Sequence, residues 1–257
     1  MLDLENYGLL PIFLVGLSVI VAGGEVGHRV GLRIGVRDKD NVATLEGAVL
    51  GLLALMLGFT FAMALSLFES RREVILEEAN AIGTAALRAR LLPAPYNTDA
   101  LKLLREYVQI RIDVSNGGPT PAKLDAAIAR SDALHEALWQ QAKAAAIVDN
   151  AMVPTGLYIQ VLNETIDAQQ KRVTTIGYRV PNLVIIALYA VAAVSSAFAG
   201  YSSALKARRW RIPVYVMGVL VAAVILLIQD LERPGGYIAV SQQPMIDTAA
   251  ILATYTD

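Results

Sequence analysis

The stretch GAVLGLLALMLGFTFAMALSLFESRREVILEEANAIGTAALRARLLP, Gly47–Pro93, decides the fold. Its first part, Gly47–Phe68, carries no charged residue. It meets the requirement of roughly 20 apolar residues for a helix that crosses a bilayer. Its second part mixes charges with apolar residues at helical spacing. No proline falls between Gly47 and Leu92. A membrane span and a water-facing helix are therefore expected to form one rod, about 70 Å long at a rise of 1.5 Å per residue.

Working outward, three more stretches are long and apolar enough to span: about Leu9–Gly24, Val180–Leu205 and Ile212–Gln229. The first follows MLDLENYG, an acidic start without Lys or Arg, whereas a cleaved signal peptide begins basic. It is read as a mature span. Composition agrees with this reading. The 257 residues are 55% hydrophobic and 18% charged, with a mean hydropathy of +0.49. A soluble domain carries about 25% charged residues.

Between the second and third spans, Glu69–Arg179 shows helical spacing and no strand alternation. Breaks at Pro93-Ala94-Pro95, Asn116-Gly117-Gly118-Pro119 and Val153-Pro154-Thr155-Gly156 divide it into four helices. These are expected at Glu69 to about Leu92, Asp99 to about Ser115 behind a Thr98 cap, from Pro121 behind a Thr120 cap, and Gly156–Tyr178. Pro181 is expected to kink the last of these where it enters the bilayer. The tail from Arg233 opens with a Pro-Gly-Gly turn and reads as a docked strand or an interfacial helix. The fold class is thus an all-α membrane protein: four transmembrane helices as two hairpins, with a helical water-facing domain inserted between spans two and three. The segments are 1–68, 69–179, 180–232 and 233–257.

The short loops carry Arg29, Arg33, Arg37 and Lys39, and Lys206, Arg208, Arg209 and Arg211. By the positive-inside rule they face the cytoplasm. The helical domain and both termini then lie outside a bacterial inner membrane. Arg71, Arg72, Lys171, Arg172 and Arg179 on the domain side argue the other way.

Chemistry is bounded by what is missing. A net charge of −1 offers no basic surface for nucleic acid. The absence of cysteine removes disulfides, thiolate metal sites and cysteine nucleophiles, and two histidines are too few for a histidine metal centre. No phosphate loop, His-Glu-x-x-His or Gly-x-Ser-x-Gly occurs, so neither enzyme activity nor a cofactor is expected. Spans two and three hold no Asp, Glu, His, Lys or Arg, whereas coupled transporters place such a group near midplane. Transport, if any, is passive.

Span two has two faces at 100° per residue. Gly47, Gly51, Ala54, Gly58, Ala62 and Leu65 share one, and Gly47-x-x-x-Gly51 is a close-packing motif. The other carries Val49, Leu52, Met56, Phe59, Thr60, Met63 and Leu67. Met56, Phe59, Thr60, Met63 and Leu67 either line a constriction in an oligomer or pack against lipid and neighbouring helices. Polar groups collect at the membrane edges. Glu25, His28 and Arg29 share a helix face, as an interfacial ion cluster or a pH sensor. Glu69, Glu73 and Glu77 lie one turn apart, as a solvated face with local Arg–Glu pairs, or as a cation filter or calcium site. Asp230 closes span four and either pairs internally or grips basic residues of another helix end. His135 reads as a surface histidine.

Two segments carry a family likeness: Leu52–Pro93 and DLERPGGYIAVSQQPMID, Asp230–Asp247. Together they resemble the bestrophin-like family of bacterial membrane proteins. The resemblance implies kinship with bestrophins, which are pentameric anion channels with a hydrophobic neck on the second span. It places Phe59 and Met63 in such a neck. The bestrophin calcium-clasp run and proline-containing neck motif do not occur in this sequence. The expected partners are lipid, further copies of the chain and small inorganic anions. The leading expectation is a homo-oligomeric passive ion pathway. The rivals are a non-conducting scaffold or envelope sensor whose helical domain binds a partner, and a membrane enzyme, which needs polar side chains clustered on one pocket.

Overall fold

The computed structural model describes residues 7–34, 39–115, 120–205 and 211–255. Among these the chain is all-helical. The helices are α1 Leu9–Ile34, α2 Lys39–Ala89, α3 Tyr96–Ser115, α4 Pro121–Val148, α5 Leu157–Ile176, α6 Asn182–Leu205, α7 Ile212–Glu232 and α8 Gln243–Thr254, with one π-type turn at Met152–Gly156. Four of them, α1, α2, α6 and α7, are long and apolar enough to cross a membrane. Arg37, Lys206, Arg208, Arg209 and the Asn116–Pro119 break lie outside the described residues, as does the side chain of Lys39.

The proline-free stretch folds as expected of it. α2 is a single helix of 51 residues. The capping expectations divide. Thr120 caps α4 by accepting the Lys123 N–H at 3.3 Å, with Pro121 at the first helical position. Thr98 does not cap. α3 starts earlier, at Tyr96, and the Thr98 hydroxyl donates back to the Pro95 carbonyl at 2.8 Å. Pro181 does not kink a continuous helix either: α5 stops at Ile176, Gly177 follows as its cap, and α6 begins only at Asn182. The residue before a proline is steered away from helical geometry, so the chain breaks here instead of bending. The tail forms a helix, α8.

The chain divides into two compact units. One comprises the residues up to Phe68 and Arg179–Ile238; the other comprises Glu69–Tyr178 and Ala239 onward.

In the first unit, α1 packs along α6 and α7. Glycines let α1 and α6 touch backbone to backbone. A Cβ built on Gly23 would meet the Ala193 carbonyl oxygen at 2.5 Å, and one on Gly200 would meet the Gly24 carbonyl oxygen at 2.0 Å. Without a hydrophobic driving force inside a bilayer, such close approach is what holds helices together. Ile20, Leu53, Ala64, Ile185, Leu188, Ala222, Ile225 and Ile228 fill the core of the unit. The Ser195 and Thr60 hydroxyls are satisfied within their own helices, donating to Val191 O and Met56 O, both at 2.8 Å.

In the second unit, Ile75, Ala79, Ile82, Ala86 and Ala89 of α2 form one wall of a core completed by α3, α4, α5 and α8. α8 is fixed to α3 by Arg105, whose Nε donates to Leu252 O at 3.0 Å and whose Nη2 donates to Tyr255 O. The Arg90 guanidinium stacks 4.6 Å from the Tyr255 ring.

Candidate functional site

The membrane part of α2 presents one long exposed arc. Phe59 is 69% exposed and Met63 47%, alongside Leu52 and Leu55. Next to them run Gly47, Gly51 and Gly58, where an added Cβ would meet nothing within 4 Å. The expected division into a small and a large face is thus redrawn. Phe59 and Met63 share the exposed arc with the glycines. Thr60 is buried, and Met56 and Leu67 pack against the core of the unit. Among the described residues, glycines of α1 and Gly200 of α6 make the close backbone approaches between helices, and Gly47, Gly51 and Gly58 of α2 make none.

In the first unit, Glu25 of α1 collects three partners. Arg29 Nε lies at 3.1 Å, Tyr215 Oη at 3.2 Å and Arg211 Nη1 at 3.5 Å. His28 is buried beside this cluster, in a cavity with room for about one water molecule, lined also by Gly24, Gly200, Ser203 and Val214. Asp230 acts as a turn clamp. Its carboxylate accepts the Tyr237 N–H at 2.6 Å and the Ile238 N–H at 2.9 Å. Gly236 must be small there, because a Cβ would come within 2.5 Å of Asp230 Oδ1. The signature Asp-Leu-Glu-Arg-Pro-Gly-Gly therefore encodes a carboxylate-closed turn after α7. Neighbouring Glu232 accepts the Val180 N–H at 3.0 Å.

Glu69, Glu73 and Glu77 are exposed. Lys171 reaches Glu77 at 2.6 Å, and that hydrogen bond raises the lysine pKa. Among the described residues no group of three or more His, Asp or Glu side chains is arranged to hold a metal ion.

The principal polar constellation was not singled out from the sequence. Glu78 is fully buried in the second unit. Its Oε1 accepts the Tyr107 hydroxyl at 2.6 Å and stands 3.0 Å from Arg111 Nε; its Oε2 accepts Arg172 Nη1 at 2.6 Å. Arg172 Nη2 also donates to Ser115 Oγ at 3.2 Å and to Gln242 Oε1 at 3.0 Å. One carboxylate thus joins α2, α3 and α5. Burial and the Glu78 charge push the Tyr107 pKa well up, so the phenol stays a donor. His135, expected at the surface, is 6% exposed and lies 4.7 Å from the Tyr107 ring. Burial depresses its pKa to about 4, so the imidazole is neutral at neutral pH.

A signal for this constellation exists. Glu78 sits on the apolar stripe Ile75, Ala79, Ile82, at i+3 from Ile75. Arg111 continues Leu104 and Val108, and Arg172 continues Thr165 and Ala168. A charge in the inward register of each of three helices marks a buried ionic junction.

No curated protein and no solved structure matches the chain. The model of the Bestrophin-like domain matches residues 12–245, nearly the whole sequence and both membrane and helical units. The chain belongs to the Bestrophin-like domain family.

Proposed function

We propose that this membrane protein assembles as a homo-oligomer around a passive ion pathway lined by α2. The observation that carries the reading is the exposed arc of α2. It is uncharged from Gly47 to Phe68, offers large apolar groups at Leu55, Phe59 and Met63, and offers an open glycine stripe beside them. In a ring of copies the large groups face the axis as a hydrophobic constriction, and the glycines admit the neighbouring helix. Met56, Thr60 and Leu67 support the wall from behind. Family membership favours small inorganic anions as the permeant species and five subunits as the ring size. The two-hairpin membrane arrangement, with the helical unit and both termini outside a bacterial inner membrane, belongs to the same reading. So do the absence of enzymatic chemistry and of a bound cofactor.

Halide flux into liposomes containing the purified protein tests the proposal. Flux above that of empty vesicles, increased by Phe59→Ala, is the expected result. Flux equal to empty vesicles for both proteins defeats it. A reporter fused to the C-terminus decides sidedness.

A second reading has its own observation. An open groove of about 450 Å³ on the second unit is lined by Glu77, Asn80, Thr84, Glu164, Asp167 and Lys171. A non-conducting scaffold would use this acidic face to bind a basic partner. Mass measurement in detergent separates the readings: a ring of five or more subunits supports conduction, and a monomer or dimer supports the scaffold.

A further inference from the structure

We infer that the core of the helical unit binds a small monovalent inorganic anion, of halide size, against Arg111, Ser131 and His135. Three buried polar atoms lead to it. Arg111 Nη1, Ser131 Oγ and His135 Nε2 have no hydrogen-bond partner, and their residues are 1%, 0% and 6% exposed. Buried polar atoms in folded proteins are nearly always paired, so three orphans in one core call for a ligand.

Helix register draws their residues to one seam. α3 and α4 run antiparallel: Gln141 Nε2 donates to Tyr96 O at 2.7 Å, and Arg130 pairs with Glu106. The Tyr107 and His135 rings face each other across this seam. One turn on from Tyr107 in α3 is Arg111, and one turn back from His135 in α4 is Ser131. Opposite running directions bring those two turns together.

The charge at the seam points to an anion. Glu78 is the only carboxylate fully buried with Arg111 and Arg172 among the described residues. Arg172 spreads its charge over Glu78, Ser115 and Gln242. Arg111 Nε stands 3.0 Å from Glu78 Oε1, and neither Nε nor Nη1 has a hydrogen-bond partner. Asp132, the other carboxylate nearby, is exposed and accepts from Gln169 Nε2 at 2.9 Å. An uncompensated buried guanidinium is costly. A guanidinium N–H, a hydroxyl O–H and the N–H of a neutral imidazole are all donors. Three donors and a surplus positive charge fit a halide; water would satisfy the donors and leave the charge. The inference is independent of conduction through α2, since a non-conducting protein keeps this core.

The test is thermal unfolding of the full-length protein in detergent, in sodium bromide or sodium gluconate at equal ionic strength and pH. A saturable rise of a few degrees in bromide is expected, because a ligand that binds only the folded state stabilises it. Ser131→Ala keeps the fold and raises the half-saturating bromide concentration roughly fivefold, the effect of losing about 1 kcal/mol of hydrogen bonding. Arg111→Gln abolishes the bromide dependence. Phe59→Ala retains it, which separates this site from any ion in a membrane pathway. In crystals grown with bromide, an anomalous peak beside Arg111 is expected. Equal melting in both salts overturns the inference. So does a bromide effect that Ser131→Ala leaves untouched, or an ordered water at Arg111 Nη1 with no anomalous signal.

Discussion

Gly27 of α1 lies so close to the backbone of Ala197 in α6 that a Cβ placed on it would meet the Ala197 carbonyl oxygen at 1.9 Å. The colliding atom is main chain, so no rotamer change relieves it. Gly27→Leu is expected to destabilise the protein by at least the upper end of the roughly 1–3 kcal/mol typical of overpacking. A fall in Tm in detergent checks this.

Gly58 predicts the opposite. Nothing in the chain stands within 4 Å of an added Cβ. Gly58→Ala should raise the stability of the subunit, by the ~0.5–1 kcal/mol that separates the two residues inside a helix. Gly58→Leu should leave the subunit folded and reduce the assembled mass measured by light scattering, if a second copy packs on this stripe.

Glu78→Gln strands two buried guanidinium groups. Removing one partner of a buried ion pair costs about 3–5 kcal/mol. The exposed Glu77→Gln should change stability by well under 1 kcal/mol despite its 2.6 Å contact with Lys171. Denaturant unfolding of the two variants side by side checks the contrast.

The buried imidazole sets a pH dependence. His135 is held at a pKa of about 4, below its ordinary 6.5. The unfolded chain then binds a proton that the folded chain refuses. Stability from this group is complete above about pH 6.5 and declines as pH falls toward 4. His135→Gln should flatten that decline, read as Tm against pH.

Asp230→Ala removes the acceptor for two main-chain N–H groups. A loss of about 1–3 kcal/mol is expected for stranded donors. Faster exchange of the Tyr237 and Ile238 amides locates the effect at the turn.

The four apolar helices were legible because length without charge is a one-dimensional signal that neighbours do not alter. The continuity of α2 was legible for the same reason: it needed only the absence of proline. Partner choice was not. Gly23-x-x-x-Gly27-x-x-x-Gly31 is as plain in the sequence as Gly47-x-x-x-Gly51, and both motifs only state that something comes close. Which one is used within the chain depends on Ala193, Ala197 and Gly200 of α6, more than 160 residues away in sequence. Glu78 was hidden by company. In Glu77-Glu78 the two carboxylates differ only in helical phase, and 100° of rotation separates a solvated group from a buried one. His135 went unread because Tyr107, which covers it, belongs to another helix.

The single carboxylate shared by Arg111 and Arg172 also restricts how α2 can move. Sliding α2 by one turn past α3 and α5 would bring Val74 or Ile75, or else Ala81 or Ile82, opposite the two guanidinium groups. Each alternative leaves two cations against hydrocarbon. A screw-like ratchet is therefore closed to this helix where Glu78 sits, and it behaves there as a clamped beam. Any stroke must come from twisting or flexing beyond the clamp.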